Sequence, residues 1–246
     1  MLKFIKKNLF YKSKNDAVNN LKILIFGTIF FYFVCWRLSD LEFGINNLDQ
    51  LVLVRNLYSP LFDNSYFEFF QYTLLLWCSI ISLKITLKGK FKFARPIPFI
   101  YLFLFLNDFF RIHDRVITLF SKYLSNRYIL MKKLFIIQGL DEVLYWLFVL
   151  LLIILVSYLF LKNSNQESQE FFKFNLYFFI VLGFFGLIID EFNNILYFLG
   201  DNVLLKIIRF SLFTLEEFGE ISTISFAFIW LMNIASNKKI IKKRNI

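Results

Sequence analysis

Residues 142–161 read EVLYWLFVLLLIILVSYLFL: 20 residues whose one charge stands at the start. A run of about 20 apolar residues matches ~30 Å of bilayer hydrocarbon when coiled as an α-helix. In hydrocarbon each backbone N–H and C=O must be satisfied within the protein, which leaves helices or closed barrels. The strict alternation of a barrel strand is missing, and comparable runs recur over approximately 21–38, 67–87, 96–114, 173–192 and 210–234. The sequence therefore predicts an all-α, polytopic membrane helix bundle with about six transmembrane helices. Residues 1–246 form one integral membrane domain.

Charge placement sets the orientation. The net charge is +10, in a chain that is 58% hydrophobic and 21% aromatic. Lys3, Lys6, Lys7, Lys12 and Lys14, the Lys84–Arg95 stretch, and the Lys238–Arg244 tail each flank an apolar run. Basic flanks mark the cytoplasmic side and attract anionic headgroups. Both termini are thus expected in the cytoplasm, the even span count agrees, and the implied address is a cell membrane, the bacterial inner one. The lipid bilayer rather than nucleic acid accounts for the basic balance. The 115–133 connection runs against this pattern, placing Arg115, Lys122, Arg127, Lys132 and Lys133 outside. Segments 48–58 and 121–135 are amphipathic and suit the interface. Cys35 and Cys78 fall inside spans without metal-ligand spacing. The first run ends in FYFVCWRLSD without a small-residue cleavage site and reads as a retained helix.

Four short acidic strings then stand out: Asn107–Asp108, Asp141–Glu142, Asp190–Glu191 and Glu216–Glu217. At ~1.5 Å of rise per residue from each cytoplasmic anchor, Asp108 lies near 20 Å and Asp190 near 25 Å. His113 and Glu220 come to about 27 Å, and Glu142 and Glu217 to about 30 Å. Four helices thus deliver carboxylates to one outer layer.

Some of these acids have a plain explanation. Asp141 and Glu142 open a helix, as Glu216 and Glu217 do in the same reading, and helix N-termini favour carboxylates. Asp108 and Asp190 sit toward C-terminal halves, where the dipole disfavours them. Intramembrane ionisable residues are costly and face a bundle interior with a partner. In LNDFFRIHDRV (106–116), helical spacing places Asn107, Arg111 and Asp114 on one face and brings Asp108 toward Arg111 and Arg115. His113, the only histidine, is five positions from Asp108 and off that face. Glu216 and Glu220 are spaced i, i+4, and Asp190 shares a face with Asn193 and Asn194. Such carboxylates cannot all stay ionised in a dry site without a cation, an arginine or protons. A divalent metal held by His113, Glu142, Asp190 and Glu217 is one consequence, with Asp108 and His113 as the catalytic pair.

The spacing of Asn107, Asp108, Phe110, His113 and Asp114 resembles a DD-x-F-x-x-H-E-like signature. It belongs to a loosely defined group of bacterial polytopic membrane proteins with later acidic motifs, which Glu142, Asp190, Glu216 and Glu217 match. Asn107 replaces an acid and Asp114 a glutamate. The resemblance covers about residues 96–234 and implies a fold without an activity. A more distant likeness is to alkaline-ceramidase-like membrane hydrolases, which hold zinc with several histidines. A single histidine excludes that site, though not a mixed Asp/Glu/His one.

Three functions fit: a metal-assisted hydrolase or transferase acting on a lipid or amphiphile, a cation- or proton-coupled transporter, and a non-catalytic scaffold or partner subunit.

Overall fold

The computed structural model describes residues 65–87, 91–127, 140–162, 164–198 and 202–236, together with Gly27, Phe30, Phe31 and Val34. The described residues contain helices and no strands. Helix α1 is Tyr66–Leu87, α2 Pro96–Phe109, α3 Ile112–Arg127, α4 Leu140–Leu161, α5 Gln166–Gly183, α6 Asp190–Phe198 and α7 Val203–Ser236. A 3-10 turn, Lys92–Ala94, precedes α2, and a π-helical turn, Phe184–Ile189, joins α5 to α6.

Four helical stretches are long and apolar enough to cross a membrane: Tyr66–Leu87, Glu142–Phe160, Gln166–Asn193 and Val203–Ala235. With 14 residues α2 reaches only about 21 Å. Most of the expected first span, Cys35, the 48–58 segment and residues 128–135 lie outside the described residues. The isolated positions Gly27, Phe30, Phe31 and Val34 are helical, and the Phe31 ring lies 5.4 Å from that of Phe70 on α1.

Local sequence explains several boundaries. Ser65 caps α1, its Oγ accepting from the Glu68 N–H at 3.3 Å, the Ser-x-x-Glu arrangement of a capping box. Asn165 caps α5 by accepting from Ser168 N–H at 3.0 Å. Asn202 does the same for α7 through Leu205 N–H at 2.8 Å. Pro96 and Pro98 occupy the first turn of α2, where no intrahelical donor is lost.

Chain direction follows from the contacts. Phe69 and Tyr72, early in α1, meet Phe109 at the end of α2, while Ser79 Oγ donates to the Pro98 carbonyl at 2.9 Å. Thus α1 and α2 are antiparallel. Phe91, just before α2, packs on Phe171 early in α5, and further along Tyr101 donates to Asn175 Oδ1 at 2.9 Å and packs its ring on Phe179, so α5 runs parallel to α2. Late in α7, Trp230 packs on Phe171 and Phe174 at the start of α5, which makes α7 antiparallel to α5. Between apolar helices in lipid no water is released, so association rests on such close packing and on buried hydrogen bonds. The dense half of the bundle is built from α1, α2, α5 and α7 around Phe67, Cys78, Ile97, Phe171, Ile221 and Trp230.

Helix α4 is different. It packs on α2, α3 and the 3-10 turn rather than along α5 or α7. Large apolar side chains, among them Phe148, Leu151, Leu155 and Leu159, remain exposed on it, as suits a helix bathed in lipid.

Candidate functional site

The predicted single helix over 96–114 is interrupted. The last α-type bond of α2 runs from Phe110 N–H to Leu106 O, and Arg111 then turns left-handed at φ 50°. Its N–H bonds back to Asp108 O at 3.0 Å, as in a Schellman-type stop. Glycine is usual at that position; with arginine there, the boundary leaves no trace in the sequence. Asp114 now lies in the first turn of α3, where the helix dipole favours it.

The corner lets side chains reach one another that a straight helix keeps apart. Asn107, 0% exposed, is the hub. Its Oδ1 accepts from the Tyr145 hydroxyl at 2.6 Å, and its Nδ2 donates to Asp108 Oδ1 at 3.1 Å. The same Nδ2 lies 3.0 Å from His113 Nδ1. With Nδ1 accepting, the imidazole proton sits on Nε2, which faces Asp114 Oδ1 at 3.2 Å. Asp114 Oδ2 in turn meets Arg111 Nε at 2.5 Å. Asp108 and His113 are therefore linked through Asn107, not directly. The expected approach of Asp108 to Arg111 and Arg115 gives way to the Arg111–Asp114 pair, and Arg115 is exposed.

A cavity of about 590 Å³ opens behind this corner. Asp108, Arg111, His113, Asp114, Glu142, Asp190, Glu216, Glu217 and Glu220 all line it. The carboxylates come from separate helices yet lie within electrostatic reach: Asp108, Asp190 and Glu68 act on Glu220, and Asp190, Glu191 and Asp114 on Glu142. Asn107 is the buried support behind the wall.

Two structural explanations change. Glu216 and Glu217 do not open a helix, because α7 starts at Val203 and places them in its fourth turn. Asp190 does not close one either. The helical path continues from α5 through the π turn into α6, which Asp190 begins. Glu142 keeps its place in the first turn of α4, where Trp146 hydrogen-bonds its carboxylate.

The sequence reading expected α1 as a span but missed its contribution to the cavity. Glu68, Gln71 and Tyr72 also line the cavity, and Glu68 accepts from the Tyr72 hydroxyl. The available signal was the capping box at Ser65–Glu68. It missed Tyr145 and Trp146 as well, although they follow Glu142 at i+3 and i+4, the spacing of one helix face.

The lining is graded. On α1, Glu68, Gln71 and Tyr72 are followed by Leu75; on α4, Glu142 by Trp146, Val149, Leu150 and Ile153. On α7, Phe213 comes first, and Glu216, Glu217 and Glu220 are followed by Ile224. The oppositely directed helices show the reverse order, Leu104 before Asp108 and Phe179, Ile180 and Leu187 before Asp190. One end is thus carboxylate-rich and the other hydrocarbon, over about 16 Å from Glu142 to Ile153.

The expected ligands His113, Glu142, Asp190 and Glu217 share this cavity. Among the described residues, however, no group of three or more His, Cys, Asp or Glu is placed to hold a metal ion. Comparison with family models, with curated proteins and with solved structures gives no match. The fold defines the class: a helical membrane protein.

Proposed function

We propose that this chain is an integral membrane protein that takes a lipid or other amphiphile into the graded cavity and acts on its head. The observation that carries the reading is the shared order of carboxylates and apolar residues along α1, α2, α4, α7 and the continuous α5–α6 path. A purely polar solute would waste the apolar half, and a pure hydrocarbon would strand the carboxylates.

The activity that fits is a hydrolase or transferase. Asp108, held by Asn107 and reaching the cavity, serves as general base toward water or a hydroxyl. His113 and Asp114 hold the hub in one hydrogen-bonding pattern, and Arg111 ties the corner. Full assembly has six spans, with both termini cytoplasmic and the carboxylate layer in the outer half of a bacterial inner membrane. Support for this comes from the basic flanks and from the helices found at the described spans. A metal would require His113, Glu142, Asp190 and Glu217 to draw together from their present positions.

Native mass spectrometry of the full chain released from lipid nanodiscs tests the reading. An amphiphile retained by the wild type, and converted by it but not by Asp108→Asn, is the expected result. Failure to retain any amphiphile would remove it. Transport of protons or cations is the second reading, favoured by Glu220, which lies one turn deeper than Glu216 against the π turn. Proteoliposome flux abolished by Glu220→Gln would put transport in place of the amphiphile reading.

A further inference from the structure

The head-group end of the cavity carries a strong charge imbalance. Its lining includes eight carboxylates and one guanidinium, Arg111, which is already engaged with Asp114. Six helices supply those acids, so the imbalance belongs to the assembled site and not to one helix end. Ionised carboxylates withdrawn from water need positive charge beside them.

Gln71 adds an independent observation. Its side chain lines the cavity, the residue is only 5% exposed, and Nε2 has no hydrogen-bond partner among the described residues. A buried amide donor left without an acceptor is costly, and native interiors rarely tolerate one. Carboxylates ask for a cation or donors, whereas the Gln71 N–H asks for an acceptor. Both requirements meet in a head that carries an ammonium group with a nearby hydroxyl or carbonyl oxygen.

The apolar half constrains the remainder of the molecule. Val149, Leu150 and Ile153 of α4 line the cavity, as do Ile180 and Leu187, and they offer nothing to a second polar group. Resting on the amphiphile reading above, we infer that the ligand is a cation-headed amphiphile, a long-chain amine or amino alcohol. Its ammonium sits among Asp108, Asp190, Glu217 and Glu220, and its oxygen accepts from Gln71.

Binding of three probes with one dodecyl chain tests this on the full chain in phosphatidylcholine nanodiscs. The probes are dodecylamine, dodecanol and dodecanoate, read by thermal unfolding and by competition. The amine is expected to bind at least tenfold more tightly than the alcohol, with dodecanoate weakest. A 2-amino-dodecanol is expected to exceed the amine, an advantage that Gln71→Met removes. The double variant Glu217→Gln/Glu220→Gln is expected to bring amine and alcohol level, and the retained alcohol binding shows that it folds. Amine binding unchanged in that variant overturns the inference, as does a preference for the alcohol or the carboxylate. Stabilisation by magnesium chloride without any by the amine also overturns it. If none of the probes binds, the amphiphile reading itself falls.

Discussion

Asn107 shows what a neutral amide provides that a carboxylate could not. Its Oδ1 takes the Tyr145 proton and its Nδ2 serves both Asp108 and His113. Asp at this position has no N–H to offer, and it would set a second carboxylate against Asp108. Asn107→Asp is therefore expected to destabilise the protein more than Asn107→Ala. Each buried group left unpaired costs about 1–3 kcal/mol, and the aspartate adds repulsion between charges. Thermal unfolding of the two variants in one detergent checks the order. Arg111 carries a separate, conformational cost. A side chain with φ 50° pays ~1–2 kcal/mol that glycine does not, and the Asp114 partner is 39% exposed, so the pair returns little. Arg111→Gly is expected to leave stability within about 1 kcal/mol of wild type, and Arg111→Val to lower it by roughly 2 kcal/mol. Equal unfolding temperatures for these variants would contradict the left-handed corner.

At the scale of elements, the π turn and α7 fit only because of two glycines. A Cβ on Gly186 would run into the Glu220 carboxylate, and one on Gly219 into the Phe185 ring. Small residues let membrane helices approach closely, and π turns recur near functional sites. Gly219→Ala is expected to cost about 1–3 kcal/mol through overpacking, whereas Gly183→Ala, with nothing within 4 Å of its Cβ, is neutral or stabilising. Chemical or thermal unfolding of this pair separates a packing constraint from a general effect of losing glycine. These elements also show what the sequence reveals. Apolar runs identify the helices well, since hydrocarbon length is a strict ruler. The start of α7, seven residues before its apolar run, escapes the sequence reading although Asn202 caps it, and Glu216 and Glu217 stand there as the opening instead. The π turn and the corner at Arg111 leave no such mark: one is a change of hydrogen-bond register, the other is carried by a residue type unusual for it. Common depth of the carboxylates could be counted from sequence, whereas the contribution of Glu68 and Gln71 required the fold.

For the whole molecule, the arrangement of α4 bears on how the proposed amphiphile would arrive. Close to α5 in sequence, it nevertheless leans on α2 and α3, and both α4 and α5 supply walls to the cavity. An amphiphile that entered between them from the bilayer would keep its chain out of water. That route changes the energetics of recognition. A methylene taken from water into an apolar slot gains about 0.8 kcal/mol, roughly fourfold in affinity. Taken from lipid tails, which are as apolar as the slot, it gains almost nothing. Selectivity must then come from the head, where the carboxylates and Gln71 stand. In nanodiscs, affinity for a series of amines is therefore expected to stay within about twofold as the chain lengthens, until the chain exceeds the slot. Leu150→Trp, which narrows the apolar half, shortens that limit and leaves the order of head groups unchanged. Competition binding at fixed mole fraction in the bilayer measures both effects. A steady fourfold gain per methylene would instead mean that the ligand is captured from water, through the carboxylate end.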